Sequence, residues 1–236
     1  MKTYTRYYLP FAIIATALAG CWGNGDGCSI GATARIDFVN ALTNIGPIDI
    51  FFNGKKVIKE LAFLTEGKNL KVTAGNSNIR VSKPTGEVII ADTTKNINLA
   101  TSTAILFEEP DGTRRIRIID NSGVNNQANP NKARVRFVLL SKALLGNNIN
   151  QGNNTNIQFD LKLRRDSVTT DVLSNQPLGT ISNFQEVDPG MYSVIVTQFG
   201  QSNSIINKTI DLPENESKTV FIADSANGDS TEIFVK

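Results

Sequence analysis

Ile48-Asp49-Ile50-Phe51-Phe52-Asn53-Gly54-Lys55-Lys56-Val57-Ile58-Lys59-Glu60-Leu61 is the stretch that decides the fold. Ile48, Ile50 and Phe52 recur at a period of two, the spacing that turns one face of an extended chain toward a core. Asn53-Gly54 follows directly. Both central positions of a type I′ turn need positive φ, and this pair is the preferred one there. The chain then returns through Val57 to Leu61. The stretch reads as a β-hairpin.

Outward from it, strand follows strand. Ile36 and Phe38 alternate in the same way upstream, and Ala74-Gly75-Asn76, Pro84-Thr85-Gly86 and Pro110-Asp111-Gly112 punctuate the chain downstream. Short strands at a spacing of about 8–12 residues with turn signals between them argue for a β-sandwich or barrel. No window carries a sustained helical stripe, and Ser141 to Leu145 is the one place that suits a helical turn.

The chain also repeats itself. Ala34-Arg35-Ile36-Asp37-Phe38-Val39 is answered by Ala133-Arg134-Val135-Arg136-Phe137-Val138, an offset of 99. Val72-Thr73-Ala74-Gly75 is answered by Val187-Asp188-Pro189-Gly190 at 115, and Thr103 to Phe107 by Thr219 to Ala223 at 116. Ordered matches of this kind point to duplication with insertions. The extra residues fall at Gly146 to Thr155, an Asn/Gly-rich loop of the second copy, and the polar stretch from Asp120 to Lys132 reads as a linker.

Before all this lies an address. Lys2 and Arg6 make a short positive region, Leu9 to Leu18 an apolar one, and Leu18-Ala19-Gly20-Cys21 ends it. Ten residues at about 1.5 Å each cover roughly half of a ~30 Å hydrocarbon core, so the run is not a spanning helix. Its motif resembles the lipobox of bacterial lipoprotein signals, in which the cysteine is acylated and becomes the first mature residue. Trp22, where an Asp is associated with inner-membrane retention, directs the protein to the outer membrane if the cell is Gram-negative. Gly23-Asn24-Gly25-Asp26-Gly27 has the composition of a flexible tether.

The expected organisation is therefore an all-β chain of two tandem immunoglobulin-like or transthyretin-like β-sandwich domains after a lipoprotein signal peptide. Residues 1–20 are the signal peptide, 21–32 a lipidated tether, 33–120 the first sandwich, 121–132 a linker and 133–236 the second sandwich.

Composition closes several function classes. Two of the 24 basic residues, Lys2 and Arg6, lie in the leader, which leaves 22 against 22 acidic residues. No basic excess remains to attract nucleic acid, so that partner is not expected. There is no histidine, which excludes Ser-His-Asp and Cys-His catalysis and imidazole metal ligation. Cys21 is committed to lipid, and Cys28, the one other cysteine, has no base to make it a nucleophile. The only Trp, Trp22, lies in the tether and Tyr192 is the only tyrosine after it, so stacking platforms for sugars are poorly supplied; the Phe residues read as core.

Ile48-Asp49-Ile50-Phe51-Phe52-Asn53-Gly54 and Val72-Thr73-Ala74-Gly75 in the first copy, with Val187-Asp188-Pro189-Gly190-Met191-Tyr192-Ser193-Val194 in the second, resemble the bacterial domain-of-unknown-function family numbered four-three-nine-seven. The second copy departs from the pattern in lacking the hairpin glycine: Ile157-Gln158-Phe159-Asp160-Leu161 runs on to Lys162. The resemblance implies an immunoglobulin-like or transthyretin-like sandwich and brings no established activity.

Candidate sites are sparse. Asp224, Asn227, Asp229 and Glu232 offer oxygens to a hard cation, though an Asp/Asn/Gly cluster between strands is also ordinary turn chemistry. Glu108-Glu109-Pro110-Asp111-Gly112 is its acidic counterpart in the first copy. Arg114-Arg115 with Arg117, and Arg164-Arg165, are small basic clusters that suit an acidic glycan or phosphate, or a solvated face guarded by charge. No catalytic residue, metal or cofactor is expected, and the one modified residue is Cys21. The expected function is a lipid-anchored cell-envelope protein, non-enzymatic, meeting an unknown envelope protein or glycan. The alternatives are a small-ligand or glycan-binding surface domain, calcium-dependent through the Asp224 loop, and a hydrolase working through carboxylates alone.

Overall fold

Asn53 and Gly54 both take positive φ, 48° and 78°, and the turn they form joins β2 (Ile48–Phe52) to β3 (Lys55–Leu61) in an antiparallel hairpin. The computed structural model describes residues 33–97, 101–121, 129–151 and 157–236. The leader, the lipobox cysteine, Cys28, most of the linker and residues 152–156 of the Asn/Gly-rich insertion lie outside those residues.

Around the hairpin the first half adds β1 (Thr33–Asn40), β4 (Glu66–Thr73), β5 (Gly75–Ser82), β6 (Val88–Ile97), β7 (Thr101–Glu108) and β8 (Arg114–Asp120). The second half has β9 (Ala133–Leu139), β10 (Phe159–Arg165), β11 (Val168–Gln176), β12 (Gln185–Val187), β13 (Gly190–Gln198), β14 (Ser204–Leu212), β15 (Ser217–Asp224) and β16 (Thr231–Val235). Between β9 and β10, Lys142–Gln151 winds into 3-10 turns, where the sequence allowed a helical turn.

The chain is all-β, and its sheets pair as sandwiches. The first half orders its strands β4-β1-β7-β8 and β3-β2-β5-β6; the second orders them β12-β9-β15-β16 and β11-β10-β13-β14. Strand for strand, the two halves have the same topology. The register agrees as well: β1 runs parallel to β7 with Arg35 opposite Thr101, and β9 parallel to β15 with Arg134 opposite Ser217. In the second half Asp166, at φ 53°, occupies the hairpin turn that has no glycine.

Each half encloses a core. Ile36, Phe38, Ile50, Ile79, Val81 and Leu106 centre the first; Phe137, Phe159, Leu161, Val194, Val196 and Ile222 centre the second. A third apolar cluster joins the halves. Val39, Ala41, Ile105, Phe107 and Ile119 from the β4-β1-β7-β8 sheet meet Val138, Leu140 and Phe221 from the β12-β9-β15-β16 sheet. These two sheets are thus inner layers packed back to back, and the other two are outer layers.

That contact corrects the expectation of one buried face per strand. β1, β7, β9 and β15 are buried on both faces over most of their length, because the second face of each inner sheet is covered by the other half. It also corrects part of the reading of phenylalanine as core. Phe38, Phe137, Phe159 and Phe221 are fully buried, but Phe199 is 48 % exposed beside a hairpin, and half-buried Phe51 and Phe184 serve as seats for arginines.

Candidate functional site

The acidic loop after β15 is built as a turn. Asp224, at the strand end, is buried, and its Oδ1 accepts from Ser141 Oγ at 2.6 Å and from the Ala143 amide at 2.8 Å. Burial pushes its carboxyl above the usual range against the pull of those donors. Its carboxylate caps the first 3-10 turn, as an acceptor placed before orphan amides does. Asp229 is exposed, accepts from Ser225 Oγ at 2.7 Å, and is held low chiefly by that bond. Asn227 is exposed at the turn, and Glu232 lies on β16 opposite Ala223. The four do not converge, and among the described residues no cluster of three or more acidic or sulfur side chains is poised around a metal position.

The basic clusters are largely paired. Arg114 Nε stands 3.4 Å from Glu108, Arg115 Nε 3.1 Å from Glu109, and Arg117 donates to the Gly179 carbonyl across the two halves. Glu108 also accepts from Lys142 of the second half. Arg164 is exposed, whereas Arg165 donates to the Pro189 carbonyl at 2.8 Å and lies over the Tyr192 ring. Tyr192 in turn donates to the Asp188 carbonyl at 2.9 Å. Beside them is a cleft of about 700 Å³ whose wall includes Leu163, Val168, Glu186 and the Lys132–Asp188 ion pair at 2.5 Å. That pairing raises the lysine and lowers the aspartate.

A further polar constellation lies where the inner sheets meet, at the edge of the shared apolar cluster. Arg136 is 5 % exposed, and its Nε donates to Thr219 Oγ1 at 2.9 Å. Its other nitrogens donate to the Asp120 carbonyl at 2.9 Å and to the Asn121 side chain, tying the end of the first half to the second. Phe184 covers the guanidinium at 4.6 Å, and burial pushes the group down to about 10. Nearby, Asp37 Oδ1 accepts the Asn69 amide at 2.6 Å and Oδ2 accepts Lys236 Nζ at 3.1 Å. Lys236 Nζ also reaches Thr103 Oγ1 at 3.1 Å and the Glu66 carboxylate.

A cleft of about 280 Å³ opens here, lined by Thr101, Thr103, Ser217, Thr219, Asp37 and Lys236. Thr101 and Ser217 hold the same register position in their halves, as do Thr103 and Thr219. Sequence reasoning did not single out Asp37, Arg136 or Lys236. The available signal was a charge interrupting two apolar strands at matching positions, 37 and 136.

Residues 34–144 match the model of a family described as "Domain of unknown function (DUF4397)". That span holds the first half from the second residue of β1 onward, β9 and the opening of the 3-10 segment. No curated protein matches the chain. Among solved structures it is similar to a leucine-rich repeat protein from Bacteroides thetaiotaomicron, at 12 % identity and TM-score 0.23 over 80 % of this chain and 26 % of that one. It is similar to the Bacillus anthracis TIE protein at 10 % identity and TM-score 0.25, over 80 % and 33 % of the two chains. A family CBM26 module from Eubacterium rectale, solved with maltoheptaose, shows 11 % identity and TM-score 0.24 over 86 % and 96 %. The chain spans only about a quarter to a third of the first two.

Proposed function

We propose that this is a lipid-anchored cell-envelope protein whose β body is a non-enzymatic interaction or structural module. The observation that carries the reading is Leu18-Ala19-Gly20-Cys21 at the end of the apolar run from Leu9. A thioether on Cys21 carries diacylglycerol, and two or more acyl chains give a stable hold where one gives a marginal one. Residues 22–32 supply reach, and if the cell is Gram-negative Trp22 directs the protein to its outer membrane.

The body supports display over chemistry. The chain has no histidine. Asp224 is engaged as a cap, and Glu108, Arg114, Arg115, Arg117 and Arg165 are engaged in pairings that hold turns and halves together. The outer sheets end in β3 and β6 in one half and in β11 and β14 in the other. Such edges accept an added strand from a partner, with main-chain hydrogen bonds supplying the affinity.

The test is Cys21→Ser in the full chain expressed in a bacterial host. Wild-type protein should incorporate labelled fatty acid and sediment with membranes, and the variant should do neither. A variant that still partitions with membranes and takes up label overturns the anchor.

A further inference from the structure

We propose that Asp37 and Lys236 are joined by a side-chain amide, an isopeptide bond that staples the two halves, with Glu66 as its proton carrier. The proposal is independent of the anchor and rests on the polar edge of the inner sheets. Asp37 stands on β1, and Glu66 begins the neighbouring β4, opposite Val39. Lys236 comes from the far end of the other half. Its backbone is fixed by two bonds to Thr219, at 2.8 and 2.9 Å. Its Nζ is 3.1 Å from Asp37 Oδ2 and in contact with the Glu66 carboxylate. The side chains of Asp37, Glu66 and Lys236 are 13 %, 11 % and 23 % exposed, so each is mostly covered by protein although Asp37 and Lys236 also line the cleft.

The chemistry balances without an outside reagent. An ammonium beside a carboxylate holds the same protons as an amine beside a carboxylic acid. Glu66 takes a proton from Lys236 Nζ and passes it to Asp37 Oδ2. The freed nitrogen lone pair attacks Asp37 Cγ and forms the N–C bond. Negative charge then gathers on Oδ1, where the Asn69 amide already points from 2.6 Å, the position at which a fixed donor stabilises a tetrahedral oxyanion. Glu66 carries the second Nζ proton to the departing oxygen, the Cγ–Oδ2 bond breaks, and water leaves. Nothing is oxidised or reduced. Condensation of free amine and acid is opposed by bulk water, but oriented neighbours reach effective molarities of about 10⁵–10⁸ M, far above the concentration of water. Residues 33–236 contain no cysteine, so a disulfide is not available as a staple there.

Tryptic mapping of the full-length protein after denaturation tests this directly. Cleavage after Arg35, Lys55 and Lys218 releases residues 36–55 and 219–236 as two linear peptides if the side chains are free. The expected result is one branched peptide, lighter than the sum of the two by one water, with fragmentation placing the branch at Asp37 and Lys236. Asp37→Asn should give the same branched peptide, ammonia leaving in place of water. Lys236→Arg and Glu66→Gln should each give the two linear peptides. Recovery of only linear peptides at full mass from the wild type overturns the bond, and this measurement needs no variant to fold. Cross-linking as complete in Glu66→Gln as in the wild type overturns the role of Glu66.

Discussion

Asp49 and Asp160 occupy the same place in the two halves, opposite Ser82 and Thr197 on the neighbouring strand, and each does the same job. Asp49 accepts the amide of Glu60 at 2.9 Å and Asp160 that of Asn175 at 2.9 Å, and both recipients have left-handed backbone, φ 53° and 56°. A carboxylate thus holds open the irregularity in each hairpin's return strand. Burial pushes Asp49 up, but the Lys56 ammonium at 2.5 Å and the Glu60 amide outweigh it and hold the carboxyl below its usual value. Because the folded state lowers this group, its contribution is present above the unfolded value near pH ~4 and is lost as pH falls through the lower folded one. Asp49→Ala should cost about 1–3 kcal/mol at neutral pH, read from denaturant unfolding, since it removes a buried carboxylate and leaves the Glu60 amide and the Lys56 ammonium without their acceptor. The wild-type advantage over Asp49→Asn should shrink as pH drops through about 4 and below, and an advantage that grows instead would contradict this assignment. Asp49 stands out in the sequence as a charge inside a strand pattern. Its recipient does not, because only the bulge geometry decides which amide, eleven positions away, turns toward it.

At the scale of elements, local chemistry was the readable part. Asn53-Gly54 carries its own turn type, and the open space beyond a Gly54 Cβ, with no heavy atom within 4 Å, leaves conformation as the whole cost of filling it. Gly54→Ala should therefore destabilise the hairpin by about 1–2 kcal/mol, the penalty for an L side chain in left-handed backbone. Asp166→Gly, at φ 53° in the second hairpin, should leave stability unchanged or raise it. Thermal melts of the pair check both, and equal loss in the two variants would count against a conformational origin. Alternation misled where packing is two-sided. Phe137-Val138-Leu139-Leu140 and Val220-Phe221-Ile222-Ala223 are continuous apolar runs, the pattern of strands covered on both faces. A run of that kind shows that a second layer exists without showing which one, and the parallel pairing of β9 with β15 joins positions as far apart as Arg134 and Ser217. The polar edge was hidden for the same reason: Asp37 and Lys236 meet only after the halves dock.

In the whole molecule, that docking is what makes two similar halves one body. Phe221 is fully buried in the shared cluster with its ring 5.7 Å from that of Phe234, and Val138, Val39 and Ile105 are buried with it. Polar contacts ring the cluster: Asn44 to the Ala226 carbonyl at 3.1 Å, Lys142 to Glu108, Arg117 to the Gly179 carbonyl, and Arg136 to the Asp120 carbonyl. Truncating a fully buried phenylalanine costs about 3–5 kcal/mol through lost transfer energy and the cavity left behind. Phe221→Ala should lower the midpoint of denaturant unfolding accordingly, and a loss under about 1 kcal/mol would mean that the contact is not tightly packed. Separating the halves is the sharper experiment. Residues 33–120 alone uncover Val39, Ile105, Phe107 and Ile119, and residues 133–236 alone uncover Val138, Leu140 and Phe221. Exposed apolar patches of this kind drive association. Each half on its own should self-associate in sedimentation or light scattering, whereas the two co-expressed as separate chains should elute as a one-to-one complex. Two halves that remain monomeric and ignore one another would show that each sandwich is self-sufficient and that the inner sheets merely lie in contact.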